Sequence, residues 1–383
     1  MANIEFSKAE LERYSRHIII PEFNIEGQRK LKAAKVLVVG SGGLGSPLLL
    51  YLAAAGVGHI GIVDYDRVDD SNLQRQVLFG TESIGKLKAE AAKERIQALN
   101  PHIEVAVYNE FLSSDNALDI IKDYDLVADG TDNFPTRYLV NDACVILGKT
   151  NVYASIYRFD GQVSVFNYKD EAGNFGPHYR DLFPSPPPPG LVPSCAEGGV
   201  LGVLPGIIGS LQALEVIKVI TGVGEPLVGR LYLFDALTFS HRTLKIRKNP
   251  NTPEITELID YEQFCGVLEA KEEQPAAAVP AISVQELKQW QEAKTPFVLI
   301  DVREPYEQEI VDIGGILIPK GEVEQHLDQI PKTGNVVVHC RSGKRSADVI
   351  ELLQAQYGYT NLLNLEGGIL AYANEVDQEL ATY

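Results

Sequence analysis

From residue 35 onward the chain alternates short apolar runs with amphipathic stretches. "KVLVVG" (35–40) is a β-branched run that predicts a buried strand, and "HIGIVDYD" (59–66) predicts a second. "KLKAEAAKERIQALN" (86–100) repeats its apolar positions at helical spacing and stops at Asn100-Pro101. "IEVAVY" (103–108), a helix from about Ser114, and "DLVADGTD" (125–132) continue the alternation. A helix over "PTRYLVNDACVILGK" (135–149) follows, with Pro135 in its first turn. Further on, "QVSVFNY" and "GRLYLFDA" predict strands, and "IIGSLQALEVIKVITG" a helix closed by Gly222. This order predicts an α/β domain on a doubly wound, largely parallel sheet. The prolines of "RDLFPSPPPPGLVPS" (180–194) exclude regular helix or sheet, so that segment is a loop.

"EAKEEQPAAAVPAIS" (269–283) has charge, then Pro and Ala, and no apolar periodicity. It divides the chain into a domain over 1–268, a linker over 269–281 and a smaller α/β domain over 282–383. The second domain reads as helix "VQELKQWQ", strand "FVLIDV", strand "NVVVHC", helix "RSADVIELLQAQYG" and strand "TNLLNLEG".

Composition narrows the function. The 383 residues carry a formal net charge of −18, which argues against a sequence-independent grip on nucleic acid. No uninterrupted apolar run reaches the roughly 18 residues of a membrane span, and the mixed charges of the first twenty residues do not make a secretory signal. The four cysteines, Cys144, Cys195, Cys265 and Cys340, form no C-x-x-C pair and suit a reducing cytoplasm.

Gly40, Gly42 and Gly45 form a G-x-G-x-x-G between a strand and a helix, a turn that presents backbone N–H groups to phosphate. Asp64 ends the next strand at the distance of a ribose-binding acid. NAD, FAD and ATP all fit to this point. Four stretches favour a triphosphate. "DYDRVDDSNLQRQ" (64–76) crowds Asn72, Arg75 and Gln76 after the acid, and "GKLKAE" sets Lys88 at a helix start. "DGTDNFPTR" (129–137) places Asp132 past a strand end, where a carboxylate among phosphate-binding cations holds Mg²⁺. "LERYSRHI" carries Arg13 and Arg16 ahead of the first strand, on a mobile arm able to supply an arginine finger. Taken singly, each has a plainer explanation: solvated charge, helix cap or helix face.

As a set, "RYSRHI", "VGSGGLGSP", "DYDRVDDSNLQRQ", "GKLKA", "DGTDNFPTRYLVND", "PSCAEGGVLG" and "LQALEVIK" resemble the MoeB/ThiF superfamily of ubiquitin-activating-type adenylyltransferases, over roughly residues 8–268. The resemblance implies a Rossmann-like sheet, ATP with Mg²⁺, a homodimer, and a small ubiquitin-like sulfur carrier protein with a C-terminal Gly-Gly as substrate. By position, Gly43 lines the nucleotide, Asp64 takes the ribose, and Asn72, Arg75 and Lys88 bind phosphates. Ser71 and Asn133 join the ATP-binding set. Asp132 holds a transient Mg²⁺, and Arg16 is the finger donated across the dimer.

Cys340 ends a strand in "VVVHCRSGKRSADV". The following N–H groups, the helix start, and Arg341, Lys344 and Arg345 favour its thiolate. The loop Cys340, Arg341, Ser342, Gly343, Lys344 and Arg345 resembles a rhodanese active-site loop. "IDVREPYEQEI", with Asp301, Arg303 and Glu304, matches the rhodanese entry segment, and "NLEGGILAY" its final strand. This second resemblance covers about residues 282–380 and implies a persulfide on Cys340, charged by an upstream sulfur donor. In relatives the cysteine at position 195 forms a thioester or a disulfide, whereas Cys144 and Cys265 read as structural. Relatives commonly hold zinc with two C-x-x-C pairs. At those places this chain has His178 and Asp181, then Ile246 and Asn249, so no structural zinc is expected.

The reading that follows is ATP-dependent adenylation of a carrier's C-terminal glycine, then sulfur transfer from Cys340 to give a thiocarboxylate, in molybdopterin, thiamine or tRNA thiolation. The alternative is an activator that passes its carrier on as a thioester through Cys195 for protein conjugation.

Overall fold

Alternate residues of the strand Lys35–Val39 (β1) face opposite sides of a sheet, and both sides are buried. Val36 and Val38 pack with Leu48, Leu52, Ile60 and Ile62, whereas Leu37 and Val39 pack with Val127, Tyr138, Val140 and Phe166. The computed structural model describes residues 5–188, 198–266 and 279–383, and divides the chain into two compact units, Met1–Ala270 and Lys271–Tyr383. In the first unit, His59–Val63 (β2), Glu104–Tyr108 (β3), Leu126–Asp129 (β4) and Thr150–Tyr157 (β5) join β1 in parallel, in the order β3-β2-β1-β4-β5. Asp160–Phe166 (β6), Arg230–Asp235 (β7) and Ser240–Lys245 (β8) extend the sheet antiparallel. The winding reverses between β1 and β4, which pair Val39 with Asp129. A doubly wound sheet opens its ligand crevice at the carboxyl ends of such strands.

Backbone contact sets the glycine turn after β1. Gly40 takes φ +88°, and a Cβ on Gly45 would lie 2.0 Å from the Gly40 carbonyl oxygen. Only glycine lets the helix Gly45–Ala55 begin so close to the strand.

The residues before β1 correct the expectation of a mobile arm. They fold into the helices Lys8–Ile18 and Asn24–Ala33. Ser7 and Glu10 close the first with a capping box. Tyr14 is buried and receives a hydrogen bond from Asn100 Nδ2 at 2.8 Å, while Arg13 Nη1 donates to the Leu99 carbonyl at 2.8 Å. This long-range docking stabilises a segment whose own length is marginal for a helix.

β5 and β8 escaped the hydrophobic pattern for opposite reasons. β5 is buried along much of its length and includes the polar Asn151, so it does not alternate. β8 is exposed throughout, and polar residues suit a sheet edge. The helix Leu204–Thr221 is long and apolar enough to cross a membrane, yet half of it is buried in this unit. Its Gln212 Nε2 donates to the carbonyls of Asp129 and Val152, at 2.7 and 2.9 Å.

The second unit has a five-stranded parallel sheet. Its strands are Ala281–Ile282 (β9), Phe297–Asp301 (β10), Ile316–Leu317 (β11), Asn335–His339 (β12) and Leu362–Leu365 (β13), in the order β11-β10-β12-β13-β9. Val336 and Val338 pack with Ile350 and Leu353 on one face, and Val337 packs with Leu287 and Leu299 on the other. "NLEGGILAY" is only partly strand: β13 stops at Leu365, Gly367 and Gly368 turn the chain at positive φ, and the helix Gly368–Glu375 follows.

Candidate active sites

A crevice lies at the carboxyl ends of β1, β2 and β4. Gly40, Gly42 and Gly43 line its floor. Asp64 lines one side, with Oδ2 accepting from the Ser41 amide at 2.8 Å and from Ser41 Oγ at 2.7 Å. Lys88 is nearly buried there, and its Nζ sits 3.0 Å from Asp66 Oδ2. Arg75 lines the same wall, held by its Nη1 bond to the Ser71 carbonyl at 3.1 Å. Opposite stand Asp132, which is exposed to the crevice, and Asn133, whose Oδ1 caps the helix Phe134–Leu147 by accepting from the Thr136 amide at 2.9 Å.

Not every expected residue reaches the crevice. Ser71 and Asn72 do not line it; their side chains bond Asp69 and close a short turn beside Arg75. Arg16 is exposed on the helix Lys8–Ile18 and does not line the crevice of its own chain.

Two polar residues of the crevice carry side-chain atoms with no partner among the described residues: Gln76, which the sequence already sets beside Arg75, and Arg137, which the expected ATP set lacks. Gln76 is buried against the glycine turn, and its Oε1 has no hydrogen-bond partner among the described residues. Arg137 is buried between the rings of Phe134 and Tyr153, with Nη2 on the Thr131 carbonyl at 3.1 Å and Nε unpartnered. Asp129 lies beneath, at the end of β4. Burial pushes its carboxyl up against the opposing pull of Arg137. A buried cation with an open donor beside Lys88 and Arg75 makes a polyanion site. Arg137 could have been found from its place in the first turn of a helix that begins right after Asp132. The donor set fits Mg²⁺ carried on phosphates: Asp132 is a carboxylate at the crevice, and Mg²⁺ takes one or two carboxylates plus substrate oxygens.

The second site is a thiol loop. Cys340 follows β12 directly and is fully buried. The Gly343 amide donates to Sγ at 3.2 Å, and Ser346 Oγ lies 3.4 Å from it, in the first turn of the helix Lys344–Tyr357. The amides of Ile369 and Leu370 hold the carbonyls of Cys340 and Arg341, at 2.9 and 3.1 Å. A Cβ on Gly368 would stand 2.5 Å from the Cys340 carbonyl oxygen, so the helix Gly368–Glu375 backs the loop at van der Waals contact.

The loop cations are not gathered equally around the sulfur. Arg345 binds Glu307 with both terminal nitrogens, at 2.6 and 2.7 Å. Burial opposes the Glu307 charge, but the Arg345 bonds prevail and hold the carboxyl at about 2. Arg341 packs over the ring of Tyr383, and Ser342 and Lys344 are exposed. Arg303 and Asp301 form a fully buried fork, with contacts from 2.7 to 3.0 Å. Glu304 opens the next helix through a capping box with Glu307. His339 is buried beside them, and burial drives its imidazole down to about 4, so it is neutral.

Cys144 and Cys265 lie in the core of the first unit; burial pushes the Cys265 thiol up to about 11 and raises that of Cys144 further. Cys195 lies outside the described residues. The segments where relatives carry zinc are joined by one carboxylate. Asp181 accepts from the His178 amide at 2.8 Å, the Asn249 amide at 2.9 Å and Thr252 Oγ1 at 3.1 Å, and Ile246 is buried. A carboxylate so occupied, with one imidazole 3.8 Å away, does not fit a tetrahedral zinc site.

The chain matches the ThiF family over residues 14–254 and the rhodanese-like domain over residues 283–375. It is 51% identical over 380 residues to the probable adenylyltransferase/sulfurtransferase MoeZ of Mycobacterium tuberculosis, covering 98% of this chain and 96% of that protein. It is 57% identical over 270 residues to a sulfur carrier protein adenylyltransferase of Thermus thermophilus, which covers 69% of this chain and is itself covered completely. Among solved structures, Escherichia coli MccB with ATP aligns with a TM-score of 0.53 at 22% identity, over 65% of this chain and 75% of that one, a likeness of fold alone. The chain therefore belongs to the ThiF family of adenylyltransferases in the form fused to a rhodanese-like domain, and it is an adenylyltransferase and sulfurtransferase.

Proposed function

We propose that this enzyme activates the C-terminal glycine of a small ubiquitin-like sulfur carrier and replaces one of its carboxylate oxygens with sulfur. The observation that carries the first step is the crevice in which Arg75, Lys88 and Arg137 meet Asp132 at the switch point of the sheet. A carrier carboxylate oxygen attacks the α-phosphorus of ATP, and the bond to pyrophosphate breaks, leaving an acyl-adenylate. The carboxylate is already ionised, so no base is required. Catalysis is electrostatic: Arg75, Lys88 and Arg137, already placed in the crevice, offset charge on the phosphates. Mg²⁺ taken by Asp132 adds charge neutralisation there. Arg16, exposed and outside its own crevice, suits donation to a second copy in a homodimer.

In the second step the terminal sulfur of a Cys340 persulfide attacks the acyl carbon and AMP leaves. The resulting acyl disulfide is opened by a Cys195 thiolate, which attacks the Cys340 sulfur. The carrier departs as a thiocarboxylate, and a thiol reductant cleaves the Cys340–Cys195 disulfide. The β7–β8 edge offers an apolar landing for a carrier, with Phe239 83% and Leu237 70% exposed. The carrier belongs to molybdopterin, thiamine or tRNA thiolation, and the reaction runs in the cytoplasm. Incubating the enzyme with each purified carrier, ATP, Mg²⁺ and thiosulfate, then weighing the intact carrier, tests the reading. Exchange of one oxygen for sulfur is expected. An unchanged mass with every carrier overturns it.

A further inference from the structure

Tyr383 is tied to both arginines that flank the Cys340 loop. Its main-chain oxygen accepts from Arg341 Nε, and its ring lies 5.3 Å from the Arg341 guanidinium. Its hydroxyl accepts from Arg303 Nη1 at 3.0 Å and donates to Glu307 Oε1 at 2.9 Å. Glu307 is the carboxylate that holds Arg345. Arg303 is itself immobilised by Asp301 and by the carbonyls of Glu307 and Val311. A rigid buried fork is thereby connected through one phenol to two cations of the loop. Burial pushes the phenol up to about 12, so it stays a neutral donor at physiological pH.

We propose that Tyr383 is a positioning residue of sulfur transfer: it fixes Arg341 directly, and Arg345 through Glu307, where their charge attracts an anionic sulfur donor to the Cys340 loop. The inference rests on the sulfurtransferase reading of the loop. The charged and titratable groups packed around it are Arg341 and Arg345, Glu307 from the helix Pro305–Gln308, Asp301 at the end of β10, Arg303 just after it, and neutral His339 of β12. Tyr383 touches Arg303, Glu307 and Arg341 together. Each contact that Tyr383 adds narrows the rotamers a long arginine side chain samples and so raises the time it is oriented toward an incoming anion.

The test compares the full-length enzyme with Tyr383→Phe and Tyr383→Ala. Two readouts are taken: thiosulfate-to-cyanide sulfur transfer, with KM for thiosulfate and kcat resolved separately, and carrier-dependent ATP–pyrophosphate exchange. Loss of the hydroxyl bonds in Tyr383→Phe is expected to raise KM for thiosulfate roughly threefold to tenfold, with kcat less affected. Tyr383→Ala, which also loses the ring against Arg341, is expected to raise KM further. ATP–pyrophosphate exchange should be unchanged in both. A lowered melting temperature with KM for thiosulfate at its wild-type value would make Tyr383 merely structural and overturn the proposal. So would a fall in kcat alone. If Tyr383→Ala does not fold, Tyr383→Phe decides by the same criteria. Wild-type enzyme without sulfur transfer would instead overturn the reading of the loop, a result distinct from an unmoved KM in the variants.

Discussion

Arg345 and Glu307 form a two-point ion pair, 2.6 and 2.7 Å, that ties the helix after Cys340 to the entry segment of the second unit. Glu307 is held at about 2, below its ordinary value of 4.5. A depressed folded-state value means that the pair stabilises the unit fully above about pH 4.5 and loses that contribution as pH falls toward 2. Thermal unfolding of the full chain across pH 2 to 6 is expected to show this acid limb. Glu307→Gln should flatten it and cost about 1–3 kcal/mol at neutral pH. An acid limb that survives the substitution unchanged would assign it to other carboxylates.

Gly45→Ala should be among the most damaging single-methyl changes in the first unit. The new Cβ would lie 2.0 Å from the Gly40 carbonyl oxygen, and both partners are backbone. Separating strand from helix is expected to cost about 1–3 kcal/mol or more and to weaken ATP binding at least tenfold. Titration of ATP by calorimetry, with unfolding measured in parallel, checks both.

Lys88→Ala and Asp132→Asn should each lower carrier-dependent ATP–pyrophosphate exchange by about 10²–10³-fold, the size usual for one lost electrostatic contact to a transition state. Cys340→Ala should leave exchange intact while abolishing sulfur transfer. Exchange lost in Cys340→Ala would mean that the two chemistries are not divided as proposed.

Arg16→Ala, like Asp132→Asn, should lose most of the exchange activity when assayed alone. Mixed and allowed to reassort, they should regain part of the exchange activity if Arg16 acts across a dimer, because one crevice of each mixed pair is then intact. No recovery from demonstrably mixed dimers would confine Arg16 to another role.

Asp181→Ala should separate the segments that this carboxylate joins, at a cost of about 1–3 kcal/mol, and chelators should leave the wild-type melting temperature unchanged. One tightly bound zinc per chain by elemental analysis would falsify the protein-only clip.

Local signals carried much of the architecture. The β-branched runs at 35–39, 59–63 and 335–339 become central strands because such residues fill a sheet covered on both faces. The glycine turn and the Cys340 loop are contiguous in the chain, so their chemistry is written in adjacent residues. Signals failed where burial was long-range or absent: the docked helix Lys8–Ile18, the two-sided β5 and the exposed β8.

By itself the sequence determined that a phosphate-binding turn and a reactive thiol loop share one chain, because each is a short stretch whose geometry its own residues impose. Tertiary structure alone decided which charges act there. Lys88 meets Asp66 from 22 positions away, Arg345 meets Glu307 from 38, and Tyr383 meets Arg341 from 42. Such partners are selected by strand order and by burial, which makes an unpaired charge costly, and neither can be read from neighbours along the chain.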